Sequence, residues 1–343
     1  MKKSIFIVAT LFISIHTFSQ KEDFSFYDGK NYKLAEFRFW NPNLNDNYKG
    51  ILVLNPGFNG DGRKAVLDPV WQKFATKHNL IIVASHFKNY KKSERRPQYR
   101  DASKGSGDIL LKSIEKYSKT ISNKNIIQLP LLLFGFSAGG QFNYEFASWK
   151  PEKVISFVVN KGGYYSTAVT SSETQKVPAI FFIGEDDNYY RNDMILGIYS
   201  ANRSQGANWT LITEKETKHS PKNSKALSIS FFESVMLKRF KKNELIDINS
   251  NNPLLGFPVR KKMKSFNEID KTDFNKWRKF KFLTIWLVNY TKAEKFPFSS
   301  IVEYTNEEIA AEFNKILDKC ALTVKKIEDK FISNSEELLK MKQ

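Results

Sequence analysis

Apolar and polar positions along this chain alternate between two rhythms. Short, largely apolar runs occupy residues 50–54, 80–85, 129–136, 154–160 and 179–184, bounded by Gly, Pro, Asn or charged residues, and 208–213 is expected to be the last strand. Runs of four to eight apolar residues between turn signals predict strands buried on both faces. Residues 33–40 alternate strictly and predict an early edge strand. Between these runs the spacing changes to threes and fours. Val66, Val70, Phe74 and His78 fall four apart and predict one helix face. Ile109, Leu110, Ser113 and Ile114 predict the inward face of a helix over 109–117. Further helices are predicted over 141–149, 193–202 and 224–240, the last with Leu227, Phe231 and Val235 on one side. Strand and helix therefore succeed one another from about residue 50 to 240. That order predicts an α/β fold with a doubly wound, mostly parallel sheet.

The rhythm changes at both ends. Lys2 and Lys3 precede an apolar stretch at 5–15 that is too short to span a bilayer, and Thr17-Phe18-Ser19 offers small residues for cleavage. Residues 1–19 thus predict a signal peptide and an exported protein, periplasmic, cell-surface or extracellular. Beyond Lys242 the alternation stops. Residues 260–298 mix Lys and Arg with aromatics, and Thr305 to Glu308 form a capping box. The stripe Ile309, Phe313, Ile316, Cys320, Val324, Ile327 and Phe331 then predicts an amphipathic helix that packs on the rest of the chain or takes a partner protein. The expected domains are a catalytic domain over 20–243 and a basic, aromatic and helical C-terminal extension over 244–343.

Composition narrows the chemistry. Cys320 is the only cysteine, so no intramolecular disulfide supports the fold. The formal net charge is +18, from 54 basic and 36 acidic residues, and the excess is spread along the chain. Such a charge suits an anionic surface, polymer or substrate, and it is also an ordinary background of lysine-rich proteomes. Histidines are too sparse and too widely spaced for a metal site, and Gly105-Ser106-Gly107 lacks the lysine of a phosphate loop. No metal, cofactor or nucleic-acid partner is expected, and no stable membrane insertion once the leader is removed.

The most informative stretch is Gly135-Phe136-Ser137-Ala138-Gly139, placed between a predicted strand and a predicted helix. G-x-S-x-G in that context is a nucleophile elbow: a tight, strained turn that lifts a serine hydroxyl clear of the sheet and aims the Ala138 N–H at an oxyanion. A serine needs a base. His219 lies in a loop between the last strand and last helix; His86 is a distant second choice, and His78 lies on a predicted helix. The acid should follow the strand at 179–184, where Glu185, Asp186 and Asp187 stand together; the G-x-x-D spacing favours Asp187, with Asp186 and Glu185 left open. A second oxyanion donor is expected from the Phe58 N–H, behind Asn55-Pro56-Gly57.

These residues, with Gly140-Gln141-Phe142 and Pro151-Glu152-Lys153-Val154, resemble the serine esterase branch of the α/β-hydrolase superfamily over about residues 48–240. Within it, the likeness is to exported hydrolases related to polyhydroxybutyrate depolymerases and to feruloyl or acetyl-xylan esterases. The resemblance implies the α/β-hydrolase fold and cleavage of carboxylic esters, polymer-linked ones included. It implies Ser137 as nucleophile, Asp187 as acid and His219 as base. The alternatives are a serine peptidase of the same fold and a non-catalytic binding module on a hydrolase scaffold.

Overall fold

A computed structural model describes residues 21–247, apart from 43–46, 204, 206, 215–216 and 242–243. The predicted leader and nearly all of the C-terminal extension lie outside the described residues.

Ten strands and six α-helices are described: β1 Lys21–Tyr27, β2 Leu34–Trp40, β3 Gly50–Asn55, α1 Pro69–Lys77, β4 Leu80–Lys88, α2 Ser106–Thr120, β5 Leu131–Gly135, α3 Ala138–Trp149, β6 Val154–Asn160, α4 Ser172–Lys176, β7 Ala179–Gly184, α5 Tyr189–Arg203, β8 Trp209–Glu214, α6 Ser224–Arg239, β9 Phe240–Lys241 and β10 Glu244–Leu245. Strands β1 to β8 form one sheet in the order β1-β2-β4-β3-β5-β6-β7-β8. β2 runs antiparallel to both β1 and β4, and every pairing from β4 to β8 is parallel. β9 and β10 make a separate small hairpin.

The continuous apolar runs are the central strands because both of their faces are covered. Side chains alternate across the sheet with period two. Ile51, Val53, Leu131, Leu133, Phe157 and Phe181 enter one core, with the inner faces of α2, α3 and α5. Leu52, Leu54, Leu132, Val158, Ile180 and Phe182 enter the other, with α1 and α6. The sheet is doubly wound, as its sequence predicts.

Two expectations are corrected. Residues 33–40 are not the edge. β1 lies outside β2 in register from Lys21 against Trp40 to Tyr27 against Leu34. The face of β1 carrying Phe24 and Phe26 packs partly on the first core, while the other face is exposed. The four-spaced stripe from Val66 to His78 is also not one helix face. Val66 sits on a separate 3₁₀ turn, and Val70 is exposed. Asp68 caps a new helix by accepting from the Val70 N–H, with Pro69 as its first residue. The buried face of α1 is Trp71, Phe74 and Ala75.

Asn55, Gly135, Asn160, Gly184 and Glu214 end five adjacent parallel strands. The loops that leave these ends share one rim of the sheet, where open α/β sheets bind ligands.

Candidate active site

Ser137 is held at φ 53° and ψ −120° between β5 and α3. A residue with a Cβ is strained there by about 1–3 kcal/mol. The turn is closed on both sides. The Ser137 N–H donates to Asn160 O at 2.7 Å, and the Gln141 N–H returns to Ser137 O at 3.1 Å. The flanking glycines are required by proximity. A Cβ on Gly135 would stand 2.3 Å from Gly139 O, and one on Gly139 would stand 2.3 Å from Asn55 O. Beneath the elbow, the Asn55 amide donates to Asn143 Oδ1 at 2.8 Å, and Asn143 Nδ2 donates to Val158 O at 3.0 Å.

A serine at a helix N-cap ordinarily turns its hydroxyl back onto the first turn. Ser137 makes no such bond. Its Oγ lies 3.0 Å from His219 Nε2, and His219 Nδ1 lies 2.9 Å from Asp187 Oδ2. With neutral imidazole these distances assign Nδ1–H as donor to the carboxylate and Nε2 as acceptor of the serine proton. The Asp187 side chain is 2% exposed and that of His219 29%. The carboxylate is sealed from solvent while the imidazole remains reachable.

The loop carrying His219 is set against β7 by close backbone contact. A Cβ on Gly184 would stand 2.3 Å from Thr217 O, and the Asp186 N–H donates to that same oxygen at 3.0 Å. The Phe136 ring lies 4.9 Å from the imidazole at 36°. Of the three acids left open by the sequence, Asp187 is the one brought to His219; Asp186 and Glu185 are exposed. His86 is elsewhere, its Nδ1 2.7 Å from Glu36 Oε2. His78 Nε2 meets Glu233 Oε2 at 2.8 Å.

The expected oxyanion donors flank the serine. Ala138 opens α3, so its N–H lies in the first turn, where amides lack intrahelical partners. Gly57, just before Phe58, packs against Ser137: a Cβ on it would stand 3.5 Å from Ser137 Cβ. Neither the Phe58 nor the Ala138 N–H donates to a protein acceptor among the described residues.

Several supporting residues escape a motif reading. Arg191 Nη1 donates to Asp187 Oδ1 at 2.9 Å, and the Asn188 N–H donates to the same oxygen at 2.7 Å. One carboxylate oxygen is thereby anchored and the other is presented to the imidazole. An arginine four residues after an acid at a helix start is a signal the sequence does carry. Deeper in the rim, Lys161 is ion-paired with Glu214, and Lys161 Nζ also lies 3.2 Å from Asn160 Oδ1. Glu214 Oε1 accepts the Asn223 N–H at 2.9 Å, and Asn160 Nδ2 donates to Ser224 Oγ at 2.6 Å. The elbow and the loop that follows His219 are thus tied through one buried polar network.

No group of three or more metal-ligating side chains occurs among the described residues, and no described helix is long and apolar enough to cross a membrane.

An elbow after β5, an acid after β7 and a histidine after β8 stand at one rim of this mostly parallel sheet, in the chain order serine, acid, histidine. The fold is that of the α/β-hydrolases. No family model and no curated protein matches the chain. Solved structures do resemble it. A poly(3-hydroxybutyrate) depolymerase from Bordetella parapertussis superposes with a TM-score of 0.48 at 15% identity, covering 63% of this chain and 90% of its own. A ferulic acid esterase gives 0.47 at 11%, covering 64% and 96%. The fluorophosphonate-binding serine hydrolase F of Staphylococcus aureus gives 0.42 at 12%, covering 63% and 98%. At these scores and identities the likenesses carry no argument about substrate or mechanism.

Proposed function

We propose that the chain is an exported serine hydrolase that cleaves carboxylic esters through an acyl-enzyme. The observation that carries the reading is the unbroken hydrogen-bond chain from Asp187 through His219 to the Ser137 hydroxyl, on a strained elbow. Export rests on the leader pattern at 1–19.

In the first half-reaction His219 Nε2 takes the Ser137 proton as Oγ attacks the ester carbonyl. The carbonyl oxygen becomes an oxyanion, received by the Phe58 and Ala138 N–H groups. Asp187 holds the imidazole in the required tautomer and stabilises the imidazolium. As the tetrahedral intermediate collapses, the imidazolium gives its proton to the leaving alkoxide. Water, deprotonated by His219, then attacks the acyl-enzyme, and the acid departs with Ser137 restored. Each step uses only this chain's own groups and water.

The test is a panel of p-nitrophenyl esters and acetylated or feruloylated sugars, assayed with the wild type and Ser137→Ala. The reading expects hydrolysis of at least the short-chain esters by the wild type and none above background by the variant. Equal turnover by both proteins would exclude Ser137 as the nucleophile.

A further inference from the structure

Residues 88–104 link β4 to α2 and carry seven basic residues against two acidic ones. Lys88, Lys91, Lys92, Arg95 and Arg96 are exposed, and none of the five forms an ion pair among the described residues. Glu94, the one acid among them, spends its carboxylate on the Lys91 backbone N–H at 3.0 Å.

This basic loop borders the candidate active site on two sides. The Tyr99 hydroxyl donates to Gly57 O at 3.3 Å, and the Asn89 N–H donates to Asn59 Oδ1 at 2.9 Å. The loop is therefore laced to the segment whose Gly57 packs on Ser137. On the other side, the Arg100 guanidinium lies 4.7 Å over the Tyr164 ring, and Tyr164 lies 6.1 Å from Tyr190. Tyr190 in turn carries Arg191, the residue that anchors Asp187.

The Tyr164 loop is itself fixed. Glu145 accepts the Ser166 and Thr167 N–H groups, and Asp101 Oδ1 accepts from Ser166 Oγ at 2.7 Å. Phe58 and Tyr164 are each 54% exposed, and Tyr189 is 79% exposed. Aromatic faces held in water beside a nucleophile are suited to stacking on sugar or other ring faces.

From this juxtaposition we propose that the rim formed by residues 88–100, with Phe58 and Tyr164, is a subsite for a polycarboxylate chain whose hydroxyls carry acyl esters. The proposal rests on the esterase reading and names its substrate class. Five exposed cations strung over nine residues exceed what one carboxylate can engage, so a chain of them is the fitting ligand. A membrane is disfavoured because residues 91–98 present no apolar side chain except Pro97 for insertion. A nucleic acid offers no carboxylic ester to Ser137.

On such a substrate the acyl group passes to Ser137 Oγ while the ester C–O bond breaks, and the serine proton reaches the polymer alkoxide through His219. Water then releases the acid. The polymer keeps all its carboxylates and departs with a free hydroxyl.

The experiment compares acetylated polygalacturonate with neutral acetylated xylan at equal acetyl content, and with p-nitrophenyl acetate, using the full-length protein. At low salt KM for the acetylated polygalacturonate should be about tenfold below that for xylan, and the two should converge as salt screens the charges. In the triple variant Lys91→Glu, Arg95→Glu, Arg96→Glu, KM for the polyuronide should rise about tenfold relative to KM for p-nitrophenyl acetate. A second arm measures retardation of the Ser137→Ala protein, with and without the triple substitution, in gels containing unesterified polygalacturonate. Retardation that disappears with the triple substitution supports the subsite even if no ester is cleaved, and in that case the esterase reading alone fails. Equal KM values for the two polymers, with no salt dependence and no retardation, overturn the proposal. So does a triple variant that loses retention on DNA-cellulose or phosphatidylglycerol vesicles while keeping it on polygalacturonate.

Discussion

Lys161 and Glu214 form an ion pair that solvent does not reach, their side chains 0% and 1% exposed, between the serine elbow and the histidine loop. Burial pushes the Glu214 carboxyl up and the Lys161 ammonium down, each opposed by the other's charge. A pair like this returns little net stability, and its value lies in what it fixes. Removing one partner leaves a buried charge, so Lys161→Met or Glu214→Gln alone should cost about 3–5 kcal/mol. The double replacement Lys161→Met with Glu214→Leu should recover most of that stability. It should still lower kcat for a small ester by at least about tenfold with little change in KM, because the Asn223 N–H loses Glu214 and Asn160 Oδ1 loses Lys161. Thermal unfolding read beside kcat and KM separates the roles. A double variant with wild-type kcat would make the pair purely structural.

Ser137 stores strain at φ 53°. Ser137→Ala keeps the Cβ and therefore the strain, whereas Ser137→Gly removes both. The glycine variant should unfold at a higher temperature than the alanine variant, by the equivalent of about 1 kcal/mol. Both should be inactive. Equal melting temperatures would mean that the serine backbone relaxes without cost.

Asp187 meets His219 Nδ1 and is itself held by Arg191. Asp187→Asn should lower kcat by about three to four orders of magnitude, because an amide favours the wrong imidazole tautomer. Asp186→Asn should change it less than about threefold, since that residue is exposed and the imidazole is bonded to Asp187 instead. Arg191→Met should fall between them, acting on kcat more than on KM. The ranking is read from the three variants side by side, and a dead Asp186→Asn enzyme would refute the assignment.

Glu233 should contribute to acid sensitivity, as should Asp61, whose carboxyl the Arg63 guanidinium holds well below the ordinary range. Burial would raise the Glu233 carboxyl, but the His78 hydrogen bond and charge, with Lys77, outweigh that and hold it below the ordinary glutamate range. A carboxylate with a depressed folded-state pKa contributes stability that is present above its unfolded value. That contribution is lost as pH falls through the folded-state value. Glu233→Gln should therefore be less stable than wild type near neutrality, and the difference should shrink as the solution is acidified through the carboxylate range. Denaturant midpoints measured across that range check it, and a constant difference would place the effect elsewhere.

The parts of the fold that the sequence makes legible are those decided by burial. The run 179–184 is a strand in sequence and in structure alike because Ala179–Gly184 is covered on both faces. The Ser137 elbow was equally readable, because its glycines answer to backbone contacts that nothing larger fits. β1 escaped because Phe24 and Phe26 are its only inward apolar residues, a pattern too thin to stand out. The helix expected through Val66 fails at Pro69, which starts α1 afresh. Asp187 could be preferred among three adjacent acids, but only the fold of 217–219 against Gly184 brings it to the imidazole. Lys161 and Glu214 were invisible for another reason. A charged residue at a strand end reads as solvated, and its burial depends on a partner fifty-three positions away.

The central claim is that His219 activates Ser137 for attack on a carbonyl or phosphoryl centre. Intact mass and peptide mapping after reaction with a fluorophosphonate test it most directly. The account predicts one adduct, on the peptide containing Ser137, formed rapidly in the wild type. It also predicts the adduct absent in Ser137→Ala and slowed by orders of magnitude in His219→Ala, with His86→Ala labelled close to wild type. An adduct on another residue, or labelling of Ser137 that does not depend on His219, would contradict it.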